Sequence, residues 1–125
     1  MRHKVVGVKL GRKKDERNAL RKNLIKQLFE HERIKTTRAK AEAIRNQSER
    51  LITLAKRSSD ADEAGKVHAR RLANARIGDA AIVKKLFDDI APRYADRVGG
   101  YTRIHRMGQR LGDAAEIVLL ELVED

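Results

Sequence analysis

The chain has 125 residues, 38% of them charged and 3% aromatic, no cysteine, and a formal net charge of +11. That length holds a single core, and the missing thiols exclude disulfides and thiolate metal sites. No stretch approaches the ~20 apolar residues of a membrane span, while so large a cationic surplus on a small domain favours a polyanionic partner, nucleic acid being the commonest.

Positive charge is concentrated at the start. Arg2, His3, Lys4, Lys9, Arg12, Lys13 and Lys14 precede the first acid, and Gly7 and Gly11 interrupt any period. Residues 1–14 are predicted to be an extended basic arm, and 15–125 a single domain. The opening has neither the apolar run nor the small-residue cleavage site of a secretory signal, which together with the missing cysteines predicts a cytoplasmic protein. Asp15 is placed as the cap of a first helix, with Leu20, Leu24, Ile25, Leu28 and Phe29 on its inner face. Lys22 and Lys26 are expected on the far side, and Arg17 and Arg21 beside the apolar stripe.

"RIKTT" alternates and is β-branched, so a short strand is expected over Arg33 to Thr36. Thr37 then caps a second helix, Arg38 to Arg57, whose inner line is Ile44, Leu51 and Ala55. After the polar break "SSDADEAG", whose acids can open it, a third helix is expected through Val67, Leu72 and Ala75. Gly78 and Asp79 read as a stop and a new cap. The fourth helix, Asp79 to Ile90, carries Val83, Leu86, Phe87 and Ile90 at helical spacing, and Pro92 is expected to end it. "YTRIHRM" and "EIVLLELV" read as two strands joined through "GQRLGD". In the last, Val118, Leu120 and Leu122 should face inward; Ile117 and Leu119 would then lie on the outer face with Glu121, hinting at a covering partner. The predicted fold is two-layer α+β: about four helices on a small mixed or antiparallel sheet, preceded by the basic arm.

Enzyme chemistry finds little support. No phosphate loop or nucleophile elbow occurs, and His3, His31, His68 and His105 share no metal-ligand spacing. Asp88 and Asp89 are adjacent on a helix, where neighbours diverge by about 100° and cannot converge on one proton or metal. No catalytic residue, metal or cofactor is therefore expected, and no small-molecule substrate.

RNA is favoured instead. Arg93, Arg97, Arg103, Arg106 and Arg110 fall in one late segment with Tyr94 and Tyr101, facing a single local acid, Asp96. Guanidinium groups fork onto phosphate oxygens, and tyrosine rings offer faces on which unpaired bases rest. The tyrosines could equally be packing residues in a core poor in aromatics. Candidate RNA contacts are these seven residues, the seven of the arm, Arg17, Arg21 and Lys22 of the first helix, and Arg70 and Arg71 of "HARR". No DNA-reading motif is present, so contacts to backbone rather than to bases are expected to dominate. A general nucleoid-type nucleic-acid-binding protein is the alternative reading.

"MRHKVVGVKLGR", "LFEHERIKTTRAKAEAIR", "HARR", "LFDDIAPRYADRVGGYTRIHRMG" and "RLGDAAEIVLLELV" occur in this order from Met1 to about Val123. In these blocks the chain resembles the bacterial large-subunit ribosomal protein seventeen family. The resemblance implies a non-catalytic α+β protein of the large subunit, bound to 23S-type ribosomal RNA near the nascent-chain exit and touching neighbouring large-subunit proteins. It places Arg2, His3, Lys9, Leu10, Gly11, Arg12 and arginines of the "PRYADR…GGYTRI" block against RNA. Neither a membrane nor an obligate homo-oligomer is expected. The chain departs from the family pattern at "KKDER" after "KLGR", in a long spacer before "HARR", and at Glu116.

Overall fold

The structure, a computed structural model, describes Leu10 and residues 13–124. Of the predicted arm, residues 1–9, 11 and 12, with Arg2, His3, Lys4, Lys9 and Arg12, lie outside the described residues. Helix α1 spans Lys14–His31 and so begins on Lys14, the last residue assigned to the arm. Asp15 is not the cap. Lys13 occupies the N-cap without a side-chain bond, and Asp15 and Glu16 sit in the first turn, where carboxylates offset the helix dipole.

Leu24, Ile25, Leu28 and Phe29 of α1 are buried, and Glu32 ends the helix in the left-handed region at φ 67°. One residue later the chain is strand β1, Arg33–Thr37. Thr37 caps α2, Arg38–Ser58, accepting from the Lys40 N–H at 3.4 Å. The predicted inner residues Ile44, Leu51 and Ala55 are all buried.

Helix α3, Glu63–Ile77, contains the three residues that mark it in the sequence but packs through others. Ala69, Ala73 and Ile77 point to the core, whereas Val67 and Leu72 are each 45% exposed and Ala75 is exposed. Small residues four apart let α3 approach its neighbours closely, and closeness outweighs the bulk of Val67 and Leu72. Gly78 closes α3 at φ 73°, and the Asp79 carboxylate caps α4, Ala80–Lys85.

Pro92 does not end the fourth helix. From α4 the backbone continues through a π-helical turn, Leu86–Ile90, into α5, Ala91–Arg93. The Ala91 N–H bonds to the Leu86 carbonyl five residues back. A proline within a helix removes one i→i−4 bond and crowds the earlier carbonyl; the wider π turn before Pro92 is where the helix absorbs that mismatch.

Strands β2, Thr102–Gln109, and β3, Glu116–Leu122, complete a three-stranded antiparallel sheet of order β1-β3-β2. A bulge interrupts β2 between Arg106 and Gly108, the latter at φ 110°. Val118, Leu120 and Leu122 face the helices as expected, and Glu121 falls between Arg33 and Arg103 in register. The fold is α+β, four helical rods packed on one face of the sheet.

Candidate nucleic-acid interface

The first helix divides into two halves. Buried residues begin at Leu24, while from Lys14 to Ala19 every residue but the partly buried Arg17 is exposed. At 100° per residue, Lys14, Arg17 and Arg21 share the face that Leu24 and Leu28 occupy further on. The side that packs on the core in the second half is therefore basic in the first. Lys22 and Lys26, expected on the far side, turn toward the α3–α4 junction. The Lys22 stem lies over Gly78, and Lys26 Nζ is 3.5 Å from the Asp79 carboxylate.

The late arginine-tyrosine segment is built differently from its expected role. Tyr94 and Tyr101 are each 2% exposed, their ring centroids 5.2 Å apart. The Tyr94 hydroxyl donates to the Val123 carbonyl at 2.6 Å. Lys56 Nζ donates to the Tyr101 hydroxyl at 2.9 Å and lies 4.9 Å from that ring's centre. With so little of either ring exposed, base stacking is not open to them; both complete a core short of aromatic bulk.

Several arginines are committed to carboxylates. Arg93 pairs with Glu32 and reaches Asp89 at 3.3 Å. The Arg93 hydrogen bond holds the Glu32 carboxyl below its usual range, and Glu32 in turn raises Arg93. Arg110 grips Asp113 across the β2–β3 turn. Arg70 bonds Asp88 at 2.8 Å and lies 4.8 Å from the centre of the Phe87 ring, tying α3 to the π turn. Arg106 is exposed and 3.5 Å from Glu116, a weak surface contact. Arg97 Nε donates to the Gly100 carbonyl at 3.2 Å. Arg71 and Arg103 are exposed and have no ion pair among the described residues. Of the predicted contacts, the structure brings Lys14, Arg17 and Arg21 onto one face and disperses Arg70, Arg71, Arg93 and Arg110.

Asp88 and Asp89 diverge to different arginines, and no group able to hold a metal occurs among the described residues. Arg33 and Lys35, which are not among the predicted contacts, are both exposed on the sheet face opposite Ile34. The alternation in "RIKTT" held the signal: if Ile34 points inward, its two basic neighbours point out.

The family model for ribosomal protein L17 matches residues 20–123. The chain belongs to the ribosomal protein L17 family. A large ribosomal subunit protein bL17 from Trichlorobacter lovleyi is 51% identical over 125 residues, covering all of this chain and 95% of that protein. The bL17 of Symbiobacterium thermophilum is 54% identical over 115 residues, or 92% of this chain and 96% of its own length. That of Caldanaerobacter subterraneus is 51% identical over 115 residues, with the same two shares. The family is one of structural ribosomal proteins and not of enzymes. Within the ribosomal protein L17 family match lie the buried tyrosines, the arginine segment and the whole sheet; the basic first turns of α1 precede it.

Proposed function

We propose that the chain is a structural constituent of the large ribosomal subunit that binds and stabilises folded 23S-type ribosomal RNA. The observation that carries this reading is the basic first half of α1. Lys14 and Arg17 continue the face of Leu24 and Leu28 beyond the end of the core, with the partly buried Arg21, its Nε buried, at the junction, so a polyanion laid there extends the helix's own packing surface. Lys13 and the basic residues before it prolong that charge, and Arg71, Arg97, Arg103 and Arg106 add cations elsewhere on the domain. With both tyrosines buried, the contacts are to phosphate and sugar, a mode that reads the shape of RNA more than its sequence. Neighbouring large-subunit proteins are the other partners, and the cytoplasm is the compartment this assembly implies.

Binding to 23S-type RNA fragments, measured against salt and in competition with random duplex DNA, tests the proposal. If ~8 phosphates are neutralised, log K falls with log salt at a slope of several units, and folded ribosomal RNA outcompetes the duplex. Equal affinity for both would favour a nucleoid-type protein instead. A flat salt response would end the electrostatic mechanism.

A further inference from the structure

The sheet buries one face and leaves the other without a cover among the described residues. On the uncovered side stand Arg33, Lys35 and Thr37 of β1, Ile117, Leu119 and Glu121 of β3, and Arg103 and His105 of β2. We infer that this outer face is a second docking surface for the sugar-phosphate backbone of RNA, gripped by Arg33, Lys35 and Arg103. The inference rests on the RNA-binding reading above and adds a site spatially distinct from the α1 stripe.

Charge decides the occupant. Three permanent cations share the face with Glu121, which is held by His105 at 2.6 Å; Glu32 and Glu124 line the cleft at the Arg33 and Arg103 end, and Glu32 is occupied by Arg93 and Lys85. Arg33 and Arg103 flank Glu121 in register, yet neither has an ion pair among the described residues. Arg33 and Arg103 thus stand one on each side of a central strand, on backbones about 10 Å apart at the usual spacing between strands. Arg33 and Lys35 lie two residues apart on one strand, ~6.6 Å, a separation suited to successive phosphates of one nucleic-acid strand.

Ile117 and Leu119 are only half-buried between these rows. The aliphatic stems of arginine and lysine can lie over such residues while their charged heads reach outward. Toward the hairpin end the face deepens into a cleft of about 490 Å³, whose lining includes Lys35, Lys40, Met107, Arg110 and Ile117. Among the described residues no tyrosine, phenylalanine or tryptophan lies on the face, and the His105 imidazole is engaged by Glu121, so contacts to phosphate and sugar are favoured over base stacking. A protein partner drawn by Ile117, Leu119 and Met107 would have to desolvate the surrounding cations, which is costly unless it pairs them.

The test is a salt titration of the full chain on a 23S-type RNA fragment, wild type against Arg33→Ala/Arg103→Ala. Binding is expected to weaken at every salt concentration, and the slope of log K against log salt to become shallower by about 1.4–1.8, the loss of two phosphate contacts. Arg33→Lys/Arg103→Lys should restore the slope. In the unmodified protein, RNA should also protect Lys35 from an amine-reactive reagent, a measurement that stands if the double variant folds poorly. A steep wild-type slope with an unchanged variant slope and an unprotected Lys35 overturns the sheet site alone. Unchanged RNA binding with impaired incorporation into large subunits overturns it in favour of a protein neighbour. A flat wild-type slope overturns the proposed function itself.

Discussion

The Tyr94 hydroxyl donates to the carbonyl of Val123 at 2.6 Å, fastening the end of the fourth helical rod to the residue that follows β3. Val123 N–H in turn bonds the Tyr101 carbonyl at 2.8 Å, so the two tyrosines and Val123 form one closed buried patch. Tyr94→Phe removes a buried donor while keeping the ring. It should lower stability by about 0.5–1.5 kcal/mol, measured by denaturant unfolding, and leave RNA affinity unchanged. Reduced affinity at unaltered stability would return Tyr94 to the interface.

Arginines of the same segment should separate by role. Arg93→Ala breaks the pairs with Glu32 and Asp89 and should cost roughly 0.5–1 kcal/mol, with the salt slope of RNA binding intact. Arg103→Ala should do the reverse, leaving the melting temperature in place and making the slope shallower by about 1. Equal effects of the two on RNA would contradict the division drawn from their ion pairs.

Ala73 is fully buried and Leu72 beside it is 45% exposed. Ala73→Leu should destabilise by about 1–3 kcal/mol through overpacking, whereas Leu72→Ser should stay within about 0.5 kcal/mol. Thermal unfolding of both variants checks the order, and its reversal would contradict the packing of α3 through Ala73.

Asp113 is held at about 2, below the usual 3.8, by the Arg110 hydrogen bond and by the Ala115 N–H. A carboxyl depressed in the folded state contributes fully above its unfolded value and is lost as pH falls through the folded one. The β2–β3 turn should keep this contribution above pH 3.8 and lose it toward pH 2. Carboxyl chemical shifts should show the low midpoint, and Arg110→Ala should move it upward; an unmoved midpoint would remove Arg110 as its cause.

Much of the architecture was legible because it rests on period. Leu24 and Leu28, Ile44 and Leu51, and Val118, Leu120 and Leu122 recur at spacings only one geometry satisfies, and all are buried. Alanine carries little such signal, so Val67 and Leu72 mark the helix in the sequence while the face that α3 buries, through Ala69 and Ala73, is not legible there. Pro92 reads as a stop in the sequence because a π turn has no sequence mark of its own. For the site, composition named the cation types but not their neighbours. Glu32, which occupies Arg93, is 61 residues away in sequence, and nothing local shows that pairing. Tyrosine suits a core and a base equally well until burial is known, and here burial chose the core.

The shared face of Lys14, Arg17, Arg21, Leu24 and Leu28 makes the interior the gauge of the exterior. Seating Leu24 and Leu28 on the core sets the azimuth at which the preceding cations are aimed, with no loop between to blur it. A one-residue slip of α1 would swing the whole row by about 100°, so repacking the hydrophobic end of this helix should re-aim its charged end without altering a single cation.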